Sequence, residues 1–317
     1  MSRTRTSDTN VRFCVVSCAS ILSAVVILTG CSANYNGERL FWKAQQLQAA
    51  IIKDPAKASP AQFATAVNAF DQVIQKVPGT MWAARAQVSI GSLYAMERQY
   101  EKARAAYALV LQNYNQYKQF CLAARLATAR TYELEQNGPE AIAVYKDISE
   151  YYPWSVPGLE SPLHIARMYE QRKDTEAATQ AYQRAVRMYT RLLPDAPTPE
   201  LTMQIKGYLT LAYQRLGQWE DAVNLLQELA AVKSGVNKPL VLLTLASIYQ
   251  TKLKETQKAQ TVYTQLVQEF PTNPFAKAAK AQLEQLGAPV PETAAETSAV
   301  QTPAIPATPV KGPAGGR

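Results

Sequence analysis

An all-α chain of repeated helical pairs is what this sequence predicts, and three observations carry the prediction. Glycine is sparse, at 13 in 317 residues, while alanine, leucine, glutamine and tyrosine recur throughout. Straight-chain residues and alanine lose little freedom in a helix, so this usage favours helix over sheet. Next, a pattern of Ala, then an aromatic or Leu four residues on, then an apolar residue after three more, returns six times. It reads Ala66-Phe70-Val73, Ala103-Tyr107-Val110, Ala141-Tyr145-Ile148, Ala178-Tyr182-Ala185, Ala222-Leu226-Leu229 and Ala259-Tyr263-Leu266. Steps of four and three place all three side chains on one helix face. Finally, Tyr94, Tyr132, Tyr169 and Tyr213 stand nine residues before such an alanine and Tyr249 stands ten before, each ending its own apolar-periodic helix. The repeating unit is therefore helix, short turn, helix.

The chain opens differently. Residues 1–12 carry Arg3, Arg5 and Arg12, and residues 13–30, FCVVSCASILSAVVILTG, carry no charge. A positive region followed by an apolar one is the anatomy of an export signal, although 18 apolar residues also reach the lower limit of a membrane span, and a retained anchor is the competing expectation. Leu28-Thr29-Gly30-Cys31 ends the stretch and resembles the lipobox of bacterial lipoproteins. The resemblance implies cleavage between Gly30 and Cys31, with lipid chains attached at Cys31, several together anchoring stably where one is marginal. By the same resemblance, Ser32, where inner-membrane lipoproteins often have aspartate, implies the outer membrane, facing the periplasm, with the periplasmic side of the inner membrane as the alternative. The expected organisation is a signal over 1–30, a lipidated linker over 31–37, the repeat domain over 38–286 and a tail over 287–317.

Within the repeat domain, Leu40, Phe41 and Trp42 begin a first helix. Ser59-Pro60 begins its partner, with Ser59 as N-cap, Pro60 at the first helical position and Gln62 closing a capping box. Pro78, Pro153 and Pro271 each lie five residues beyond the last apolar position of a second helix and end it. AQVSIGSLYAMERQYEKARAAYALVLQNY, residues 86–114, with Gly91 and Ala103 at small-residue places, resembles the tetratricopeptide repeat. LAYQRLGQWEDAVNLL, residues 211–226, is the next best match. The resemblance implies a solenoid of about six such hairpins, closed by an amphipathic capping helix over PFAKAAKAQLEQL. Beyond Leu286 the composition shifts to Pro, Ala and Thr without a periodic apolar face, and predicts a disordered tail.

Composition excludes several functions. The formal charge of +8 falls to +6 once Arg3, Arg5, Arg12 and Asp8 are removed, leaving 30 basic and 24 acidic residues interleaved along the helices. No basic block with stacking aromatics appears, which argues against a nucleic-acid partner. The single histidine, His164, and the absence of a phosphate loop or a zinc-binding spacing leave no catalytic centre, metal site or cofactor, and no small-molecule substrate is expected. With Cys14 and Cys18 in the apolar run and Cys31 modified, Cys121 alone remains, read as a small buried hydrophobe.

What is left is the face that, by the resemblance, is lined by the first helix of each pair. Carried over, it comprises Arg85, Val88, Ser92, Met96, Leu126, Arg130, Leu134, Leu163, Arg167, Gln171, Leu211, Arg215, Leu243 and Ser247. Arginines among apolar neighbours suit a carboxylate or an acidic peptide. The expected function is thus a lipid-anchored, non-enzymatic scaffold that binds other envelope proteins. Its lipid and repeats are similar to those of the helical-repeat lipoprotein of the outer-membrane β-barrel assembly machinery, and a scaffold for cell-wall or secretion machinery is the alternative.

Overall fold

The structure, a computed structural model, describes residues 34–291. The signal, Cys31 and most of the Pro-rich tail lie outside the described residues. Those described hold thirteen α-helices packed in consecutive pairs: α1 (34–53), α2 (Pro60–Lys76), α3 (Met81–Met96), α4 (Tyr100–Asn113), α5 (Lys118–Leu134), α6 (Gly138–Tyr151), α7 (Val156–Gln171), α8 (Thr175–Leu192), α9 (Pro199–Leu216), α10 (Trp219–Ala231), α11 (Lys238–Ile248), α12 (Thr256–Glu269) and α13 (Pro274–Gln285). The chain divides into two compact units, Met1–Met168 and Tyr169–Arg317.

The alanine-aromatic pattern forms the core of the second helix of each pair. All eighteen of its residues, from Ala66 to Leu266, are buried. In the first unit, Phe41 and Ala44 of α1 join Phe70 and Val73 of α2 in one apolar cluster, and Ala103 and Tyr107 of α4 join Ala84 of α3 and Ala124 of α5 in another. In the second unit, Leu226, Leu242, Tyr263 and Leu283 draw α10 to α13 together, with α13 covering the open end of α11 and α12 as a cap. Small residues set the spacing: a Cβ on Gly91 of α3 would overlap the ring of Tyr107 on α4.

Helix ends follow the expected chemistry. Ser59 accepts from the Gln62 amide at 3.3 Å while Gln62 Oε1 accepts from the Ser59 amide at 2.7 Å, the reciprocal capping box. Helices α2, α6 and α12 stop at Val77, Tyr152 and Phe270, each directly before its proline. Between α8 and α9 the chain forms a 3₁₀ turn over Leu193–Asp195, after which Thr198 caps α9 and Pro199 opens it. Residues 34–37, expected to belong to a linker, are already helical. The indole of Trp82 donates to Asn34 Oδ1 at 2.6 Å, and Gly37 packs against the same ring, so tertiary contacts extend α1 beyond the amphipathic stretch.

The recurrent tyrosines mark the turns. The amides of Gln99, Asn137, Asp174 and Gln218 each donate to the carbonyl five residues back, which belongs to Tyr94, Tyr132, Tyr169 and Tyr213 respectively. This is the long-range bond of a left-handed helix ending. The residue before each donor adopts positive φ: Arg98, Gln136, Lys173 and Gly217. In the last pair Glu255 donates to Tyr249, six residues back, because Tyr249–Leu253 forms a π-helical turn that absorbs one extra residue. The ten-residue spacing from Tyr249 to Ala259 has this cause.

Candidate functional site

The first helices of successive pairs adjoin, α3 with α5 in the first unit and α11 with α13 in the second. On their exposed faces two shallow pockets gather half of the residues expected to line a groove. In the first unit, Leu126 and Arg130 of α5 and His164 and Arg167 of α7 surround a cavity of about 180 Å³. Its floor is built around Glu133: Tyr145 Oη donates to one carboxylate oxygen at 3.3 Å, and His164 Nε2 lies 2.5 Å from the other. The Tyr145 and His164 rings pack at 4.5 Å. Burial, then the Glu133 charge and hydrogen bond, push the Tyr145 phenol well above its ordinary value, so it serves as a fixed donor. Arg130 and Arg167 stand exposed at the rim and make no ion pair with any described residue.

The second unit repeats the arrangement in a more apolar form. Leu211, Arg215, Trp219, Leu243, Ser247 and Lys252 border a cavity of about 520 Å³ between α9, α10 and α11. Arg215 lies 3.6 Å from Glu170, and Lys252 sits over the Trp219 ring at 5.0 Å. Each pocket thus offers cationic groups beside apolar walls, open to solvent.

Other expected groove residues do not join a pocket. Leu163 is only 2% exposed and belongs to the core, because its position on α7 points inward. Arg85 lies over the Phe41 ring at 4.5 Å and is held by packing against α1 rather than free to take a ligand. Val88 packs beside the buried cluster of α3 and α4, and Ser92 accepts from Tyr107 Oη at 3.5 Å. Met96, Leu134 and Gln171 are exposed near the ends of their helices. Conversely, Glu133 is not among the residues expected here, and His164, considered only as the single histidine, pairs with it to fix the floor of the first pocket. A usable signal existed: Glu133 follows Arg130 by three residues and His164 precedes Arg167 by three, so each shares a helix face with a chosen arginine.

Cys121 is buried, its Sγ 3.5 Å from the Tyr114 carbonyl oxygen, and burial raises its thiol above the usual range. Such a thiol resists ionisation and packs as an apolar group. Among the described residues, no three His, Cys, Asp or Glu side chains stand close enough to hold a metal ion, and no helix is long and apolar enough to cross a membrane.

Comparison with known proteins places the repeats. The chain is similar over most of its length to solved helical-repeat structures: PilW, a type IV pilus biogenesis factor, at 13% identity over 76% of this chain and 97% of that one, TM-score 0.40; pilF of Pseudomonas aeruginosa, at 12% identity over 78% and 99%, TM-score 0.39; and tetratricopeptide-like repeats of a putative kinesin light chain from Podosopora anserina, at 20% identity over 63% and 96%, TM-score 0.37. No curated protein matches the sequence. Tetratricopeptide-repeat family models match residues 163–197, 209–240 and 240–273. The second of these segments contains 211–226, whereas 86–114, the closest match by eye, is not among them. Each matched segment takes in one helical pair wholly or in large part, so these three stretches of the chain carry tetratricopeptide repeats.

Proposed function

We propose that this chain is a lipoprotein, anchored through Cys31 to the outer membrane on its periplasmic side, that holds another envelope protein on the exposed faces of its first helices. The observation that carries the binding role is the pairing of Arg130 and Arg167 at the rim of a pocket whose floor, Glu133 with Tyr145 and His164, is internally satisfied. Satisfied groups on the floor leave the rim cations to meet a partner, and guanidinium groups suit carboxylates in a planar, two-pronged contact. Exposed ion pairs contribute about 0 to 1 kcal/mol each, whereas micromolar binding needs about 8 kcal/mol. The apolar walls therefore supply most of the affinity and the arginines the orientation. Assembly of outer-membrane barrels is the pathway that the lipid and repeat architecture suggests.

The test is a cross-linked pull-down of the tagged full chain from its native envelope, with and without Arg130→Glu and Arg167→Glu. Recovery of a barrel-assembly protein that falls at least ten-fold in the double variant supports both the pathway and the pocket. Recovery of cell-wall or secretion proteins, unchanged by the substitutions, rejects both.

A further inference from the structure

The outward face of α1 has a composition that its packing does not use. Its inward face is fixed: Phe41, Ala44 and Ile51 are buried, and the Phe41 ring lies 5.4 Å from Phe70 and 5.6 Å from Trp82. Seven-residue steps then set Tyr35, Trp42 and Ala49 on a stripe pointing away from the core, with Arg39, Lys43 and Lys53 beside them at helical neighbour positions. Tyr35 is 68% and Trp42 58% exposed. None of the three cations forms an ion pair with a described residue, and Glu38 is the only acid in the helix.

We infer that this face lies on an anionic phospholipid surface. Tryptophan and tyrosine favour the headgroup level because one end of the ring is apolar and the other wet, and long basic side chains reach past them to lipid phosphates. The face is positive and aromatic, complementary to an anionic leaflet, and a second copy of the chain would bring the three cations against their own images. The inference rests on the lipid anchor at Cys31. The first residue of α1, Asn34, is three positions after Cys31, a reach of about 10 Å at most, so an anchored chain carries this helix at the membrane surface. The first unit, to which α1 belongs, would then be held at a defined angle to the membrane rather than swinging on a tether.

The experiment uses the full chain purified in detergent from its native envelope and reconstituted into vesicles of phosphatidylethanolamine and phosphatidylglycerol with brominated acyl chains. Mass spectrometry of the same sample reads the state of Cys31. The expected result is quenching of a tryptophan component that disappears in Trp42→Phe. That component should weaken when Arg39, Lys43 and Lys53 are changed to Glu, each lost cation reducing surface attachment about five-fold. Trp42 is exposed, so its replacement leaves the far-ultraviolet circular dichroism unchanged. Equal quenching in the chain and in Trp42→Phe, with lipid present on Cys31, overturns the docked face and leaves the anchor standing. A chain without lipid that fails to enter vesicles overturns both. Concentration-dependent shielding of Trp42 in detergent alone assigns the face to a second copy instead.

Discussion

Two glycines in helix interiors show how one substitution changes sign with its surroundings. Gly91 meets the ring of Tyr107, which is 2% exposed and cannot move aside, whereas Gly207 of α9 has no atom within 4 Å of where its Cβ would stand. Both gain about 1 kcal/mol of helix propensity on becoming alanine, but overpacking costs about 1 to 3 kcal/mol. Gly91→Ala should therefore lower stability to urea and Gly207→Ala raise it by about 0.5 to 1 kcal/mol, read as opposite shifts of the denaturation midpoint. Equal shifts would mean that the α3 and α4 contact relaxes freely. Gly91 was legible in the sequence as a small-residue place. Glu133 and His164 were legible only as neighbours of Arg130 and Arg167 on their own helix faces; that the two meet depends on α7 bringing the histidine to the α5 carboxylate.

At the level of the element, the turns inside the pairs share one geometry with different residues. Arg98, Gln136, Lys173 and Lys254 take the left-handed conformation that glycine occupies at Gly217. Residues with a Cβ are strained there by roughly 1 kcal/mol. Gln136→Gly should raise the thermal midpoint by a degree or more while leaving helix content unchanged; a lowered midpoint would show that the Gln136 side chain outweighs the backbone strain. The tyrosines before these turns were visible as a repeat, and the structure gives the physical reason for their register: their carbonyls accept the closing hydrogen bonds. The π-helical turn at Tyr249–Leu253 was legible only as a spacing of ten rather than nine.

For the whole molecule, the tyrosines that fill the pairs make stability fall in alkali. Tyr107, Tyr114, Tyr145, Tyr152 and Tyr263 are all raised above the ordinary phenol value, in each case chiefly by burial. Their folded state holds protons that the unfolded state releases above about pH 10, so stability is full below that pH and declines as the pH rises through the folded values. Tyrosinate absorbance should show a fraction of the 17 tyrosines ionising together with the loss of helix rather than before it. Tyr145→Phe should make the decline shallower. Ionisation of every tyrosine ahead of unfolding would contradict the buried placement.

Periodicity and local chemistry determined the paired helices, their caps, their proline stops and the capping helix, because each depends on residues within a few positions of one another. Tertiary structure alone decided that Leu163 is core, that Arg85 is held on Phe41, and that Arg130 and Arg167 meet around His164. Those outcomes turn on which face of one helix another covers, and a spacing of three or four residues says that side chains share a face without saying what lies opposite it.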